Sequence, residues 1–159
     1  MDKLLIIDIK KCTGCELCMD VCSGRKAGVY SKEYSRIRIR RDEPEGIFIP
    51  LVCLQCREHP CAEACPEEAI LHHSSLGLYA VDQELCTGCG ICEQACPYDG
   101  IFMGPGYALK CDLCGREPAC VGVCFPKALD FREADQKEIN SDLKTQVLMI
   151  QEARDKEHG

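Results

Sequence analysis

Short apolar runs alternate with cysteine-rich segments along most of the chain. The runs at residues 4–9, 47–52, 76–81 and 101–103 have the length and the Leu, Ile and Val content of β-strands. Arg36 to Arg40 alternates strictly between Arg and Ile, which predicts a strand with one apolar and one cationic face. The polar segment 24–35 contains two glycines and is expected to be a loop. The pattern therefore predicts short strands on either side of each cysteine-rich segment.

The C-terminal 28 residues have a different pattern, because Gly and Pro are absent until the last position. Apolar residues recur there at helical spacing, with charged residues between them: Ile139, Leu143, Val147 and Ile150. We expect an amphipathic C-terminal helix within residues 132–159. Such a helix either packs back on its own domain or docks on a partner subunit.

The cysteines form four motifs of four, which account for all sixteen. Motif 1 contains Cys12, Cys15, Cys18 and Cys22, and motif 2 contains Cys53, Cys56, Cys61 and Cys65. Motif 3 contains Cys86, Cys89, Cys92 and Cys96, and motif 4 contains Cys111, Cys114, Cys120 and Cys124. Each motif is expected to be followed by a short helix and a strand, so the chain is an internal repeat.

The spacing of motifs 1 and 3, C-x2-C-x2-C-x3-C, is the one that bacterial ferredoxins use to bind [4Fe–4S] clusters. Motifs 2 and 4 keep the order but widen the middle loop to four and five residues. Structural zinc sites typically use two C-x2-C pairs separated by a longer loop, so a third Cys two residues after a pair favours iron–sulfur clusters. Four complete ligand sets predict four [4Fe–4S] clusters.

Eight disulfides in a secreted protein are the other use of sixteen cysteines. The N-terminus argues against secretion, because the run Leu4 to Ile7 is short, Asp8 interrupts it, and no twin-arginine signal is present. No run approaches the length of a membrane span. We expect a reduced, cytoplasmic protein.

Composition and charge agree with a metal-stapled protein. The chain has 159 residues, no Trp, and an apolar fraction of 46% that includes the cysteines, so its core is thin. Small domains of this kind depend on metal or disulfides, and we expect the apo-chain to be largely unfolded. The formal charge of −7 would fall to about −15 with four oxidised clusters, each carrying about −2. Such a charge excludes nucleic-acid binding by phosphate attraction.

In the bacterial ferredoxin arrangement the fourth Cys of a motif binds the cluster of another motif. Motifs 2 and 3 are adjacent and are expected to exchange their fourth cysteines, which leaves motifs 1 and 4 to exchange theirs. Spacing alone does not exclude a tandem arrangement, which would pair motif 1 with 2 and motif 3 with 4.

The sequence resembles the four-cluster, ferredoxin-like electron-transfer subunits of complex iron–sulfur oxidoreductases. The motifs and their order carry this resemblance over residues 4–131. It implies the nested pairing and four ligand sets, which we call sites 1 to 4. Site 1 comprises Cys12, Cys15, Cys18 and Cys124, and site 2 comprises Cys111, Cys114, Cys120 and Cys22. Site 3 comprises Cys53, Cys56, Cys61 and Cys96, and site 4 comprises Cys86, Cys89, Cys92 and Cys65. The resemblance also implies that electrons move along these sites in numerical order.

The fold expected from the resemblance is α+β, with two nested bacterial-ferredoxin-like modules, each binding two [4Fe–4S] clusters. The outer module takes residues 1–46 and 104–131, the inner module takes 47–103, and the tail takes 132–159. One departure from the family is Phe125, which displaces the Pro expected directly after the fourth Cys. Another is the short connection of residues 104–110 between motifs 3 and 4, where membrane-associated members have long insertions.

The segment Cys22 to Ile39 is most similar to small subunits of tungsten aldehyde oxidoreductase-type enzymes. The expected function is therefore a non-catalytic subunit that carries single electrons between a tungsten or molybdenum pterin subunit and a redox partner. That partner would be a flavin or NAD subunit or a ferredoxin, and stacking of several copies is left open. A free polyferredoxin and a zinc-rich structural module are the alternatives.

No catalytic residue is expected, because the chain has no nucleotide-binding fingerprint and no spare Cys. We interpret its four histidines as surface or hydrogen-bonding residues: His59, His72, His73 and His158. Arg36, Arg38 and Arg40 either offset cluster charge or form a docking face for an acidic partner. Lys10, Lys11 and Lys110 precede cluster motifs and are expected to tune the potential of the cluster whose motif follows.

Overall fold

The computed structural model describes residues 3–42, 46–134, 144–145, 148–149, 151–152 and 155–156. The strands within them are β1 (Lys3–Ile7), β2 (Ile37–Asp42), β3 (Ile47–Val52), β4 (Ile70–His73), β5 (Leu78–Val81), β6 (Ile101–Met103), β7 (Ala108–Lys110) and β8 (Leu129–Glu133). The longer helices are α1 (Leu17–Ala27), α2 (Pro60–Ala64), α3 (Ile91–Ala95) and α4 (Ala119–Val123). The mixture of short strands and short helices confirms the expected α+β class.

The strands pair in antiparallel twos rather than in one sheet. β1 pairs with β8, β2 with β3, β4 with β5, and β6 with β7. In the first pair Leu5 lies opposite Phe131, so the start of the chain meets the end of the cysteine-rich region. Helices follow the same symmetry, since α1 packs against α4 and α2 against α3. Motif 1 therefore lies beside motif 4, and motif 2 beside motif 3.

Strands β2 and β3 pair with each other although they lie on opposite sides of residue 46, where the sequence suggested a boundary between the outer and inner modules. Ile37 lies opposite Val52, and both are almost fully buried. The largest core cluster contains these two residues together with Leu5, Leu78 and Leu129. The hydrophobic core is thus shared by strands from both predicted modules, and the buried cysteines Cys18 and Cys22 are part of it.

Helix α1 corrects the expectation of a loop over residues 24–35, because it continues to Ala27. Gly28 ends it in the left-handed conformation, with φ +70°. A Cβ atom at Gly24 would lie 2.8 Å from the ring of Tyr30, so this glycine allows the aromatic ring to cover the helix. The glycines that suggested a loop are a helix stop and a packing contact.

The C-terminal tail begins later than expected, since β8 takes Arg132 and Glu133. The described tail residues are helical, but the four apolar residues that predicted the helix lie outside the described part: Ile139, Leu143, Val147 and Ile150. Met149 packs against the core cluster of Ile49, Leu51, Phe102 and Leu109. Lys156 lies 3.7 Å from a carboxylate oxygen of Asp42. These contacts favour a tail that packs back on its own chain over a docking arm.

Candidate iron–sulfur sites

All sixteen cysteines lie in the described part of the chain and have free thiols. The first two cysteines of motifs 1 to 3 lie in a loop, as does Cys111 of motif 4, whereas Cys114 lies in a short 3-10 helix, Leu113–Gly115. The third cysteine of each motif lies in the first turns of an α-helix. Those third cysteines are Cys18 in α1, Cys61 in α2, Cys92 in α3 and Cys120 in α4. The loop and the helix start together bring three thiols of one motif to one place, as the spacing predicted.

Left-handed backbone makes these loops tight. Gly14 and Gly88, at equivalent positions of motifs 1 and 3, have φ values of +69° and +72°. A Cβ atom at Gly88 would lie 2.9 Å from the carbonyl oxygen of Gly106, so a larger residue would push two loops apart. The Gly14 amide also lowers the pKa of Cys12 against the raising effect of burial. Both glycines therefore occupy the tight loops that the sequence predicted.

In the inner pair of motifs, each fourth cysteine lies near the other motif. Burial, together with the nearby thiols of Cys86, Cys65 and Cys89, raises the pKa of Cys92 to about 11. A cavity is lined by the same four cysteines. Cys65, from motif 2, thus lies with three cysteines of motif 3.

Cys96 has the reciprocal position. Burial raises its pKa, and the nearby thiol of Cys53 adds to that effect. Burial also raises the pKa of Cys61 to about 11, opposed by the positive charge of Lys110 and increased by Cys53, Cys56 and Cys96. Cys96, from motif 3, thus lies with the first three cysteines of motif 2.

The outer pair of motifs has the same arrangement. Burial raises the pKa of Cys12, and the thiols of Cys124 and Cys15 raise it further. A second cavity is lined by Cys12, Cys15, Cys18 and Cys124. Burial raises the pKa of Cys120 to about 12, with Cys22 and Cys114 contributing.

Backbone amides point at the cysteine sulfurs. Ala69 donates to Cys65 Sγ at 3.3 Å and Gly100 to Cys96 Sγ at 3.4 Å. Further N–H···S bonds of 3.3–3.4 Å run from Arg36 to Cys22, Gln55 to Cys53, Ala108 to Cys86 and Leu113 to Cys111. Amide donors stabilise thiolates, and a buried thiolate needs a positive partner that iron supplies. Four soft sulfur donors in each group, with amides aimed at them, fit an iron–sulfur cluster.

Two regions of the sequence match models of [4Fe–4S]-binding families. A 4Fe-4S dicluster domain matches residues 44–134, and a 4Fe-4S binding domain matches residues 9–29. The polyferredoxin-like subunit of an aliphatic sulfonate oxidoreductase from Pyrococcus furiosus is 41% identical, over 79% of this chain and 73% of that subunit. The thiosulfate reductase electron transfer subunit PhsB of Salmonella typhi is 31% identical, over 95% of this chain and 86% of that one.

The chain belongs to the family of ferredoxin-like iron–sulfur electron-transfer subunits. A solved structure agrees: a chain of the active-site complex BamBC of benzoyl-coenzyme A reductase, with benzoyl-CoA bound, matches at a TM-score of 0.52. That chain is 30% identical, and the match covers 90% of this chain and 87% of that one. The ferredoxin-like fold is thereby confirmed.

Family membership decides two further expectations. The two matched regions together contain every cysteine, which confirms [4Fe–4S] clusters as the cofactors and agrees with a total of four. Members of this family are electron-transfer subunits, so the expected non-catalytic role is also confirmed.

The turn after the fourth cysteine tolerates Phe125. Three residues after the fourth cysteine of motifs 2, 3 and 4, the backbone is left-handed in each case, at Glu68, Asp99 and Lys127. The displaced proline in motif 4 therefore leaves the turn intact. The ring of Phe125 is 83% exposed and projects into solvent.

Two of the three arginines in the alternating segment, Arg36 and Arg38, make internal contacts instead of forming the cationic docking face that the sequence allowed. Arg36 donates to Asp112 at 2.9 Å, and Lys26 lies 2.7 Å from the same carboxylate. The guanidinium of Arg38 stacks over the ring of Phe102, 4.6 Å from its centroid. Both arginines are half-buried and make internal contacts, which favours the charge-offsetting role.

Gln55 is a structural residue that sequence reasoning missed. Its side-chain amide donates to the carbonyl oxygens of Cys111 and Tyr79, at 2.7 and 3.0 Å, and accepts from the Tyr79 amide at 2.8 Å. It thereby ties motif 2 to motif 4 and to β5. A lone Gln within a cysteine spacer has no local pattern that would have identified this role.

Gly100 offers a test of the contact between motifs 2 and 3. A Cβ atom there would lie 2.8 Å from the carbonyl oxygen of Val52 and 2.9 Å from Cys53 Cα, both rigid backbone. We expect Gly100→Ala to destabilise the holoprotein by about 1–3 kcal/mol, because overpacking must shift the strand that leads into Cys53. Urea unfolding followed by far-UV circular dichroism measures the change.

Gly122→Ala is the matched control for that variant. Gly122 lies in α4, and a Cβ atom there would have no neighbour within 4 Å. Alanine should stabilise that helix by up to about 1 kcal/mol. Equal stability of the two variants would contradict the close backbone approach at Gly100.

Proposed function

We propose that the chain passes single electrons through sites 1 to 4 between a catalytic oxidoreductase subunit and a second redox partner. One observation carries this proposal: the exposed ligand cysteines are Cys15 and Cys89, one in site 1 and one in site 4. The cysteines of sites 2 and 3 are buried or half-buried. Two surface sites joined through two interior ones suit a subunit that connects two partners.

The nested ligand sets are part of the proposal. Their support is the proximity of each fourth cysteine to another motif, together with the packing of α1 on α4 and α2 on α3. A [4Fe–4S] cluster, when bound, supplies reversible one-electron chemistry. The protein holds the thiols, directs amides at them and keeps solvent from the interior sites.

Contacts between sites support the numerical order. The thiol of Cys18 in site 1 is near enough to Cys120 in site 2 for each charge to affect the other. Cys111 in site 2 has the same relation to Cys53 in site 3. Sites 3 and 4 are linked through the exchange of Cys96 and Cys65 between the packed helices α2 and α3.

The catalytic partner we propose is a tungsten or molybdenum pterin subunit. The resemblance of segment 22–39 to small subunits of tungsten aldehyde oxidoreductase-type enzymes supports it. The names of the relatives, an oxidoreductase subunit and an electron transfer subunit, support membership in a complex. The second partner is a flavin or NAD subunit or a ferredoxin.

Sixteen free thiols agree with a reducing, cytoplasmic compartment. In the described residues, none of the helices has the length and apolarity that crossing a membrane requires.

Affinity purification of the tagged chain from its native host, under anaerobic conditions, tests the proposal. We expect the chain to elute in a complex larger than its own 17.7 kDa, with tungsten or molybdenum present and about sixteen iron atoms per chain. Mass spectrometry identifies the second subunit, and elemental analysis measures the metals.

Two other outcomes would overturn it. A chain that elutes alone with all its iron would be a free polyferredoxin. Zinc without iron would make it a structural module. The same purification with the tag at the other end of the chain controls for a tag that blocks docking.

A further inference from the structure

A buried lysine contacts a cluster ligand where motifs 2 and 4 meet. Lys110, the last residue of β7, is 3% exposed. Its ammonium donates to Cys53 Sγ at 3.1 Å and to the carbonyl oxygen of Tyr79 at 2.8 Å. The sequence suggested that Lys110 would act on the cluster of motif 4, which directly follows it. The structure directs its charge to motif 2 instead.

A buried ammonium needs a compensating negative charge. Within the described part of the chain, Lys110 forms no ion pair with a carboxylate. Its charged partner is therefore Cys53, once that sulfur is a thiolate bound to iron. A fixed positive charge at a ligand sulfur stabilises the reduced state more than the oxidised state, because reduction adds negative charge to the cluster and its sulfurs.

The neighbouring residues hold Lys110 in this position. Gln55 accepts a hydrogen bond from the Tyr79 amide and donates to the Tyr79 carbonyl, which is the second acceptor of Lys110. The ammonium also lies close enough to Cys61, another predicted ligand of site 3, to act on its thiol. Two of the four ligands of site 3 thus experience the same charge.

The other sites have different surroundings in the described residues. Their N–H···S donors named above are backbone amides. Near site 2, Lys26 and Arg36 share the carboxylate of Asp112, which offsets their charge. The cavity of site 4 is lined by Glu67, and the cavity of site 1 by Glu16. Site 3 has acidic neighbours as well, since Glu58 acts on Cys56 and Asp99 on Cys96. It differs from the other sites in the buried ammonium of Lys110, which contacts a ligand sulfur directly.

We propose that Lys110 makes the cluster of site 3 the most readily reduced of the four, so that the first electron to enter the subunit resides there. This proposal rests on the four sites proposed above. The highest reduction potential would then belong to an interior site, next to the contact between motifs 2 and 4, and not to site 1 or site 4 at the exposed ends.

Redox titration of the holoprotein, monitored by electron paramagnetic resonance, tests the proposal with Lys110→Gln and Lys110→Met. Gln keeps a hydrogen-bond donor without the charge, and Met removes both. We expect one of the four reduction steps, the one at highest potential, to move to lower potential in both variants. In the Cys56→Ala variant, which lacks a ligand of site 3, that step should be absent.

Lys11→Gln is the matched control. Lys11 directly precedes the first cysteine of motif 1, just as Lys110 directly precedes the first cysteine of motif 4. Unlike Lys110, the side chain of Lys11 is 56% exposed and pairs with Asp8. It should leave all four steps in place, because solvent screens its charge.

Several results would overturn the inference. One is an unchanged titration in both Lys110 variants. Another is a shift in Lys110→Met alone, which would assign the effect to the hydrogen bond rather than to the charge. Loss of the site 3 cluster in both variants would show a structural role. Each of these differs from failure of the proposed function, in which the unmodified protein would lack four clusters or a partner.

Discussion

Replacing Cys96 together with Cys53 is expected to cost the protein one cluster, whereas replacing Cys96 together with Cys86 is expected to cost two. Under the nested pairing, Cys53 and Cys96 are ligands of the same site, so their losses coincide. Cys86 and Cys96 belong to the same motif but to different sites. The Cys53→Ala/Cys96→Ala protein should therefore retain about twelve iron atoms and the Cys86→Ala/Cys96→Ala protein about eight, at four per cluster.

Iron and acid-labile sulfide analysis of the two purified double variants distinguishes the pairings. If Cys96 bound the cluster of its own motif, the iron contents would be reversed. In the tandem pairing Cys96 would join motif 4, and both double variants would lose two clusters. The outer motifs allow the same comparison, with Cys12→Ala/Cys124→Ala expected to lose one cluster and Cys111→Ala/Cys124→Ala two.

Removing the clusters should unfold the protein. In the described residues each sheet has two strands, and isolated two-stranded sheets are marginally stable at best in water. Buried cysteines such as Cys18, Cys61 and Cys92 occupy positions that larger apolar side chains fill in other cores. Structural zinc in small domains supplies about 10–16 kcal/mol, against a total stability of about 5–15 kcal/mol for an ordinary domain.

Far-UV circular dichroism before and after anaerobic removal of iron with acid and a chelator measures this effect. We expect most of the secondary-structure signal and the cooperative urea transition to disappear. Adding ferrous iron and sulfide to the same sample, with the thiols kept reduced, should restore both. An apo-chain that keeps a cooperative transition would show that the apolar core is sufficient without metal.

Local elements with a strong pattern could be predicted from the sequence. Strands β3 and β6 have the expected bounds, because each is an apolar run that begins directly after a glycine, Gly46 or Gly100. Strand β7 has three residues and no periodicity, so its pairing with β6 could not be seen. The polar character and the two glycines of residues 24–35 predict a loop, but α1 continues to Ala27 and only Gly28 ends it.

The side chains around the sites were harder to predict than the ligands. Arg36 and Arg38 have the alternation of a surface strand, but contacts with Asp112 and Phe102 turn them inward. Both partners are more than 60 residues away along the chain, and no local rule connects them. Gln55 was missed for the same reason.

The sequence by itself determined the nature of the cofactor, and it predicted sixteen cysteine ligands grouped in threes. Three thiols reach one cluster through a loop of a few residues and the start of a helix, so spacing alone specifies their geometry. Only the tertiary structure decided which neighbours each group meets. The pairing of β1 with β8 brings motif 4 to motif 1, and the backbone contact at Gly100 brings motif 3 to motif 2. The tertiary structure also brings the ammonium of Lys110 to the sulfur of Cys53. A buried charge needs a partner, and folding rather than sequence proximity decides which residue that partner is.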